Sequence, residues 1–266
     1  MKRRSVLFLV AAVLAWAVCG GCASSEPVTI RVLTYNIHHG EGLDGETDLA
    51  RIADVIRNTN ADLVALQEVD RGVRRTDGVD QPARLGELTG MAAVFEKNAD
   101  IQGGDYGNAV LSRYPIERYV NHKLPRMGEN EQRGLLEVHV RVNGREVVFF
   151  ATHVDHQEDD SERLASVDAL RGCVAQFKGK PVIVAGDMNA RPDGRVIERM
   201  DAFLNNAAIG SEAETLSFPA DSPDRRIDYV FYTEGTGLRA AGCEVIDEPV
   251  ASDHRPVLAT LELRRD

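Results

Sequence analysis

Apolar and polar positions alternate with a period of two over residues 28–35, and the alternation breaks at His38-His39-Gly40-Glu41-Gly42, so this stretch reads as a β-strand running out into a loop. The period then changes. Leu49, Ile52, Ala53 and Ile56 share one face at helical spacing behind Asp48, whose carboxylate suits a helix N-cap. Residues 62–69 form a compact apolar strand carrying Gln67-Glu68 at its C-terminal end. Strands are predicted over 108–113, 135–142 and 146–153, the last two joined by Asn143-Gly144, a pair that tolerates the positive φ angles of a tight hairpin turn. A helix follows over 162–177. An apolar strand over 181–185 runs into Gly186-Asp187-Met188-Asn189, and late strands cover 226–232 and 256–263. Many strands with few helices, and hairpins beside αβ connections, indicate an α+β fold with mixed sheets. A purely parallel doubly wound sheet fits less well, because the Asn143-Gly144 hairpin requires an antiparallel pair.

The first two dozen residues have a different composition. Lys2, Arg3 and Arg4 precede an apolar run over 6–18, which at about 13 residues is too short to cross a hydrocarbon core of roughly 30 Å as a helix. A cleaved signal peptide over 1–22 is the expectation, followed by a short linker over 23–29 and one domain over 30–266, with no repeat or low-complexity tract to divide it. Cys19-Gly20-Gly21-Cys22-Ala23-Ser24-Ser25 resembles the processing site of bacterial lipoproteins and nominates Cys22 for lipidation, although Cys19 stands where Leu or Val is usual. An ordinary secretory cut nearby is the alternative. Either way the protein is expected to be exported, to the periplasm or, as a lipoprotein, to the outer membrane.

Charge bears on the partner. The whole chain carries −11; without Lys2, Arg3 and Arg4, 28 basic residues face 42 acidic ones, a net charge of −14. A groove for long nucleic acid usually carries a basic stripe, and none is visible, so nucleic acid is possible as a partner but not favoured. A local patch or a bound metal can still invert the field at a site. An exported location permits a disulfide between Cys173 and Cys243, but two small, buried, unpaired thiols are the preferred reading.

Acids, amides and imidazoles gather where strands run out: Asn36, Glu68, Asn108, His153, Asp187 with Asn189, and Asp253-His254. Any one of these is ordinary for a turn. Together they supply hard oxygen ligands, amide donors and two imidazoles. Thr34-Tyr35-Asn36-Ile37, Leu66-Gln67-Glu68-Val69, Gly107-Asn108-Ala109-Val110-Leu111-Ser112-Arg113, Thr152-His153, Gly186-Asp187-Met188-Asn189, Arg226-Ile227-Asp228-Tyr229 and Ser252-Asp253-His254-Arg255-Pro256-Val257 resemble, in order, the motifs of the endonuclease/exonuclease/phosphatase superfamily, a group that includes deoxyribonuclease I. The resemblance implies a four-layer α/β/β/α sandwich, two mixed sheets packed face to face with helices outside, and a site at one edge.

It also implies roles. Glu68 is the foremost metal ligand, with Asn36 and Asp253 beside it and Asp187 and Asn189 near a second position, for Mg²⁺ or Mn²⁺. His254 is placed as general base with Asp228 fixing its tautomer, Asp187 orients the nucleophile, and His153 and Asn189 donate to phosphoryl oxygens. Taken alone, His153 reads equally as a strand-end histidine satisfied by a carbonyl. One departure is His38, standing where abasic-site endonucleases carry an acid; His38-His39 are either extra metal or phosphate contacts or a polar loop. Asn108, Arg133 and Arg74 are candidates to grip the substrate, against a solvated charge run for the arginines. The implied activity is metal-dependent hydrolysis of a phosphoester, on small or lipid-derived substrates in the bacterial envelope, by a monomer held at the membrane through its lipid anchor. A secreted nuclease and a non-catalytic surface binding protein are the alternatives.

Overall fold

Every strand predicted above from residue 28 onward becomes a non-edge strand of one of two six-stranded sheets. A computed structural model describes residues 26–208 and 216–264; the signal segment and Cys22 lie outside the described residues. The first sheet is built from β1 (Val28–Asn36), β2 (Leu63–Arg71), β3 (Ala92–Ile101), β4 (Gly104–Ser112), β11 (Leu238–Val245) and β12 (Val257–Leu263), in the order β11-β12-β1-β2-β4-β3. The second contains β5 (Ile116–Lys123), β6 (Gly134–Val142), β7 (Arg145–His153), β8 (Val182–Asp187), β9 (Asn205–Asn206) and β10 (Asp228–Tyr232), in the order β5-β6-β7-β8-β10-β9. Both sheets are mixed: β1/β2 and β7/β8 are parallel pairs, and the remaining pairs are antiparallel.

Three cores hold four layers together. Ile30, Val32, Ala65, Phe149, Ile183 and Val230 are among the side chains interleaved between the sheets. On the outer face of the first sheet, Leu33, Tyr35 and Leu66 pack under α1 (Leu49–Thr59) and α2 (Gln81–Thr89). On the outer face of the second, Val148, Phe150 and Val184 pack under α3 (Ser161–Val174) and α4 (Arg195–Asp201). Asp48 caps α1 by accepting from the Ala50 and Arg51 N–H groups. The four-layer sandwich implied by the motifs is therefore the observed fold. Cys173 and Cys243 are free and half-buried, packing against different cores.

Strand parity places the polar residues. In β1 the inter-sheet face runs Ile30, Val32, Thr34, Asn36; in β7 it runs Val147, Phe149, Ala151, His153; in β8 it runs Ile183, Ala185, Asp187. Each apolar series ends in a polar residue on the same face. Register aligns those ends, since His153 lies beside Asp187 across the parallel pair and Asp228 lies opposite Asp187 across the antiparallel one. On the first sheet Asn36 pairs with Gln67, and Val257 pairs with Thr34, which returns the loop bearing His254 to the end of β1. The β7/β8 approach is close enough that a Cβ on Gly186 would lie 2.1 Å from the Thr152 carbonyl oxygen, so only glycine fits there.

Candidate active site

Glu68 is aimed by a β-bulge. The β2/β4 register shifts between Leu66 and Val69, and Glu68 takes a φ of 58°, the left-handed region that a glutamate rarely enters. Such a conformation costs about 1–3 kcal/mol and persists only where the surroundings fix it. Asn36 supplies part of that fixing. Its side chain, 1% exposed, donates from Nδ2 to Glu68 Oε1 at 2.9 Å and to Asp187 Oδ2 at 3.2 Å, so one amide bridges two carboxylates from opposite sheets. Its Oδ1 accepts the His38 N–H at 3.1 Å. In this arrangement Asn36 holds the carboxylates in place and turns its oxygen away from them.

His254 occupies the other wall. Its Nδ1 lies 2.9 Å from Asp228 Oδ2, and its Nε2 lies 3.5 Å from Asn36 Nδ2 and 3.7 Å from Asp187 Oδ2. Ser217, fully buried, donates from Oγ to the same Asp228 oxygen at 2.7 Å and keeps that carboxylate turned to the ring. Burial pushes the His254 pKa down, but the Asp228, Asp187 and Asp253 carboxylates more than reverse this, and the ring is pushed up to about 10. Burial raises Asp187, as does the neighbouring Asp228, to about 7. These three residues form a buried triad in which one imidazolium offsets two carboxylates.

His153 has the opposite electrostatics. Burial lowers its pKa well below the ordinary value, and so does the Arg133 charge. Arg133 is 4% exposed, with Nη1 3.0 Å from His153 Nδ1 and Nη2 3.2 Å from His156 Nδ1. A guanidinium can only donate, so Nδ1 of His153 carries the lone pair and Nε2 the proton. That N–H points to Asp187 Oδ2 at 3.5 Å; the Asn189 Nδ2 beside it at 3.1 Å is itself a donor, committed to the Val154 carbonyl at 3.2 Å. Arg133 is thus a buried clamp on two histidines and no part of a solvated charge run.

These groups line a cavity of about 450 Å³ together with Tyr106, Glu131, Arg191, Phe218 and Arg225. Of the residues singled out from sequence, Glu68, His153, Asp187, Asn189, His254 and Arg133 are on its wall, and Asn36 and Asp228 stand directly behind. Asp253 is half-buried next to Ser252, which donates to its Oδ1 at 3.3 Å, and its side chain is off the wall. Asn108 turns its amide to the Gly134 carbonyl at 3.0 Å, and Arg74 is exposed in the turn after β2; neither lines the cavity. Of the wall residues that sequence reasoning missed, Tyr106 lies in β4 just before the Gly107 motif, Arg225 just before the Arg226 motif and Arg191 two positions after Asn189, while Glu131 and Phe218 come from loops.

A second cluster abuts Glu68. His38 and His39, with φ of 44° and 46°, bring ring nitrogens to within 4.8 Å of each other and of the Glu68 carboxylate. Burial lowers the His39 pKa, aided by the Arg75 charge, which favours the neutral ring.

Comparisons with known proteins agree with this geometry. A sequence model of the Endonuclease/Exonuclease/phosphatase family matches residues 33–254. The chain is 29% identical to "Uncharacterized protein YbhP" of Escherichia coli K12 over 255 residues, 90% of this chain and 98% of that one. It is 27% identical to "5'-tyrosyl-DNA phosphodiesterase" of Caenorhabditis elegans over 199 residues, covering 70% of this chain and 50% of that protein. Among solved structures, an endonuclease/exonuclease/phosphatase from Beutenbergia cavernae superposes with a TM-score of 0.70 at 27% identity, covering 89% of this chain and 72% of that one.

Proposed function

Because the chain belongs to the endonuclease/exonuclease/phosphatase family, whose members hydrolyse phosphoester bonds, we propose that it cleaves a phosphoester of a small or lipid-derived substrate with the help of a divalent cation. The observation that carries this reading is the continuous line of contacts from Glu68 through Asn36 and Asp187 to His254 and Asp228 around one cavity.

The residues fit a cation. Glu68 and Asp187 are drawn together with only the Asn36 amide between them, a concentration of negative charge in a partly dry site that a hard cation would offset. Glu68, Asp187 and Asn189 would supply oxygen ligands for Mg²⁺ or Mn²⁺, which would neutralise charge building on phosphoryl oxygens when bound. With Nδ1 committed to Asp228, Nε2 of His254 is the atom that, once the ring has given up its own proton, takes one from the attacking water, and Asp187 orients that water from the same side. On the facing wall, the His153 Nε2–H and the Asn189 amide donate to non-bridging oxygens, and Arg133 keeps the His153 proton on the side where it is needed.

Cavity shape and charge support a small substrate. The wall carries Arg133, Arg191 and Arg225 against Glu68, Glu131 and Asp187, enough basic groups for one anionic head but no stripe for a duplex backbone. The apolar leader and Cys22 motivate placing the enzyme as a lipoprotein monomer at the cell envelope.

The test is a panel of phosphoesters, namely bis-nitrophenyl phosphate, sugar and inositol phosphates, phospholipid head groups and supercoiled plasmid, each with Mg²⁺ or Mn²⁺. Release from small or lipid esters is expected. Plasmid nicking at enzyme concentrations that leave the small esters intact would point to the nuclease instead, and no release from any member would end the proposal.

A further inference from the structure

His38 and His39 each set one ring nitrogen against Glu41. His38 Nδ1 lies 3.3 Å from the Glu41 carbonyl oxygen, which can only accept, so Nδ1 carries the proton and Nε2 is left with a free lone pair. His39 Nε2 lies 3.5 Å from the Glu41 carboxylate, and its Nδ1 is buried with no hydrogen-bond partner, in a residue only 8% exposed. A buried ring nitrogen without a partner is costly unless something else binds it. Fixing one ring nitrogen with a backbone carbonyl or carboxylate so that the other presents its lone pair is the usual way proteins prepare a histidine to hold a metal. Here one residue, Glu41, does this for both rings.

We propose that His38, His39 and Glu68 together form a cation site with two imidazoles and one carboxylate, selective for a borderline transition ion such as Mn²⁺, Co²⁺, Fe²⁺ or Zn²⁺ over Mg²⁺. This rests on the reading above in that the ion shares Glu68 with the phosphoester site. The geometry is near to that required. Donor atoms about 2.0–2.2 Å from one ion lie at most about 4.4 Å apart, and the three groups already have theirs within 4.8 Å. Closure therefore needs movements of a few tenths of an ångström, within reach of a half-buried His38 and Glu68. Selectivity follows from ligand chemistry: imidazole adds affinity for the later divalent ions, whereas Mg²⁺ prefers oxygen and sheds water reluctantly.

The experiment is metal binding, read without turnover. Chelator-treated full-length protein is dialysed against Co²⁺ with Mg²⁺ in about hundredfold excess, and bound metal is counted. Separately, the Mn²⁺-loaded protein is examined by pulsed EPR for coupling to imidazole nitrogen. Wild type is expected to retain one Co²⁺ against Mg²⁺ and to show coupling from two nitrogens. The doubly substituted His38→Gln/His39→Gln protein should lose Co²⁺ affinity by about 10–100-fold while Mg²⁺ affinity stays within about threefold. If Mg²⁺ displaces Co²⁺ as readily from wild type, or no nitrogen coupling appears, the proposal is overturned. The EPR result stands even where the double variant fails to fold. Failure of the phosphoester assay with nitrogen-coupled metal present would sink the proposed function and leave this site intact; hydrolysis with Mg²⁺ and no nitrogen coupling would do the reverse.

Discussion

Asn36→Asp replaces a bridging amide by a third carboxyl group at nearly constant shape. The Asn36 Nδ2 lies 2.9 Å from Glu68 and 3.2 Å from Asp187, so an ionised aspartate would put a third carboxylate in contact with both. At such distances each repulsion is worth roughly 5 kcal/mol at an effective dielectric constant of about 20. Taking up a proton is cheaper. With an unfolded pKa near 3.9 it costs about 4 kcal/mol at pH 7 and about 1–2 kcal/mol at pH 5. The acid also has one donor where the amide has two, which adds about 1–2 kcal/mol at any pH. The variant should therefore be less stable than wild type by about 5–6 kcal/mol at pH 7 and about 3 kcal/mol at pH 5. The sign is set by a folded pKa raised above the unfolded one, whose contribution is lost as pH rises. Urea unfolding of both proteins in chelator at pH 5, 6 and 7 measures this. A cost that is flat with pH, or below about 1 kcal/mol, would refute the bridging role.

Three further outcomes are expected. In chelator, the wild type itself should lose stability as pH rises, from about 4 to 7 through Asp187, raised to about 7, and from about 6.5 towards 10 through His254, raised to about 10, because each raised group favours the folded state only while protonated; thermal unfolding at pH 5, 7 and 9.5 reads this, and a divalent cation should flatten the trend. Gly186→Ala should destabilise by about 3 kcal/mol, since the new methyl meets the Thr152 carbonyl oxygen at 2.1 Å and can be relieved only by parting β7 from β8; calorimetry decides. Arg133→Met should leave a folded protein in which His153 no longer holds its proton only on Nε2, visible as changed imidazole ¹⁵N shifts, with kcat down by about 10–100-fold.

Much of the site was legible because it continues the strand pattern. The parity that runs Ile30, Val32, Thr34 in β1 carries on to Asn36, and the same holds for His153 in β7 and Asp187 in β8, so reading the apolar period also locates the polar residue that ends it. The strands that escaped notice, β3, β5 and β11, are all sheet edges, as is the two-residue β9. An edge strand with an open face needs no apolar alternation. In β5 Tyr119 and Val120 are 48% and 46% exposed, so its sequence obeys neither the core period nor the polar pattern of a loop. Glu68 could be named but not aimed, because its bulge depends on β4 across the sheet. Arg133 was legible as a charge and illegible as a buried clamp, since its partners His153 and His156 reach it only through the β6/β7 register. The remaining wall residues Glu131, Phe218 and Arg225 converge through loops and turns that carry no period, and Tyr106 reaches the wall from the start of β4.

The most direct test of the catalytic assignment is the rate of phosphoester hydrolysis by His254→Ala beside wild type, on the best substrate of the panel and at saturating divalent cation. A loss of at least about a thousandfold in kcat/KM, or about 4 kcal/mol of transition-state stabilisation, is expected with cooperative unfolding retained. A variant within tenfold of wild type would contradict the claim that residues 36 to 254 meet at one catalytic cavity.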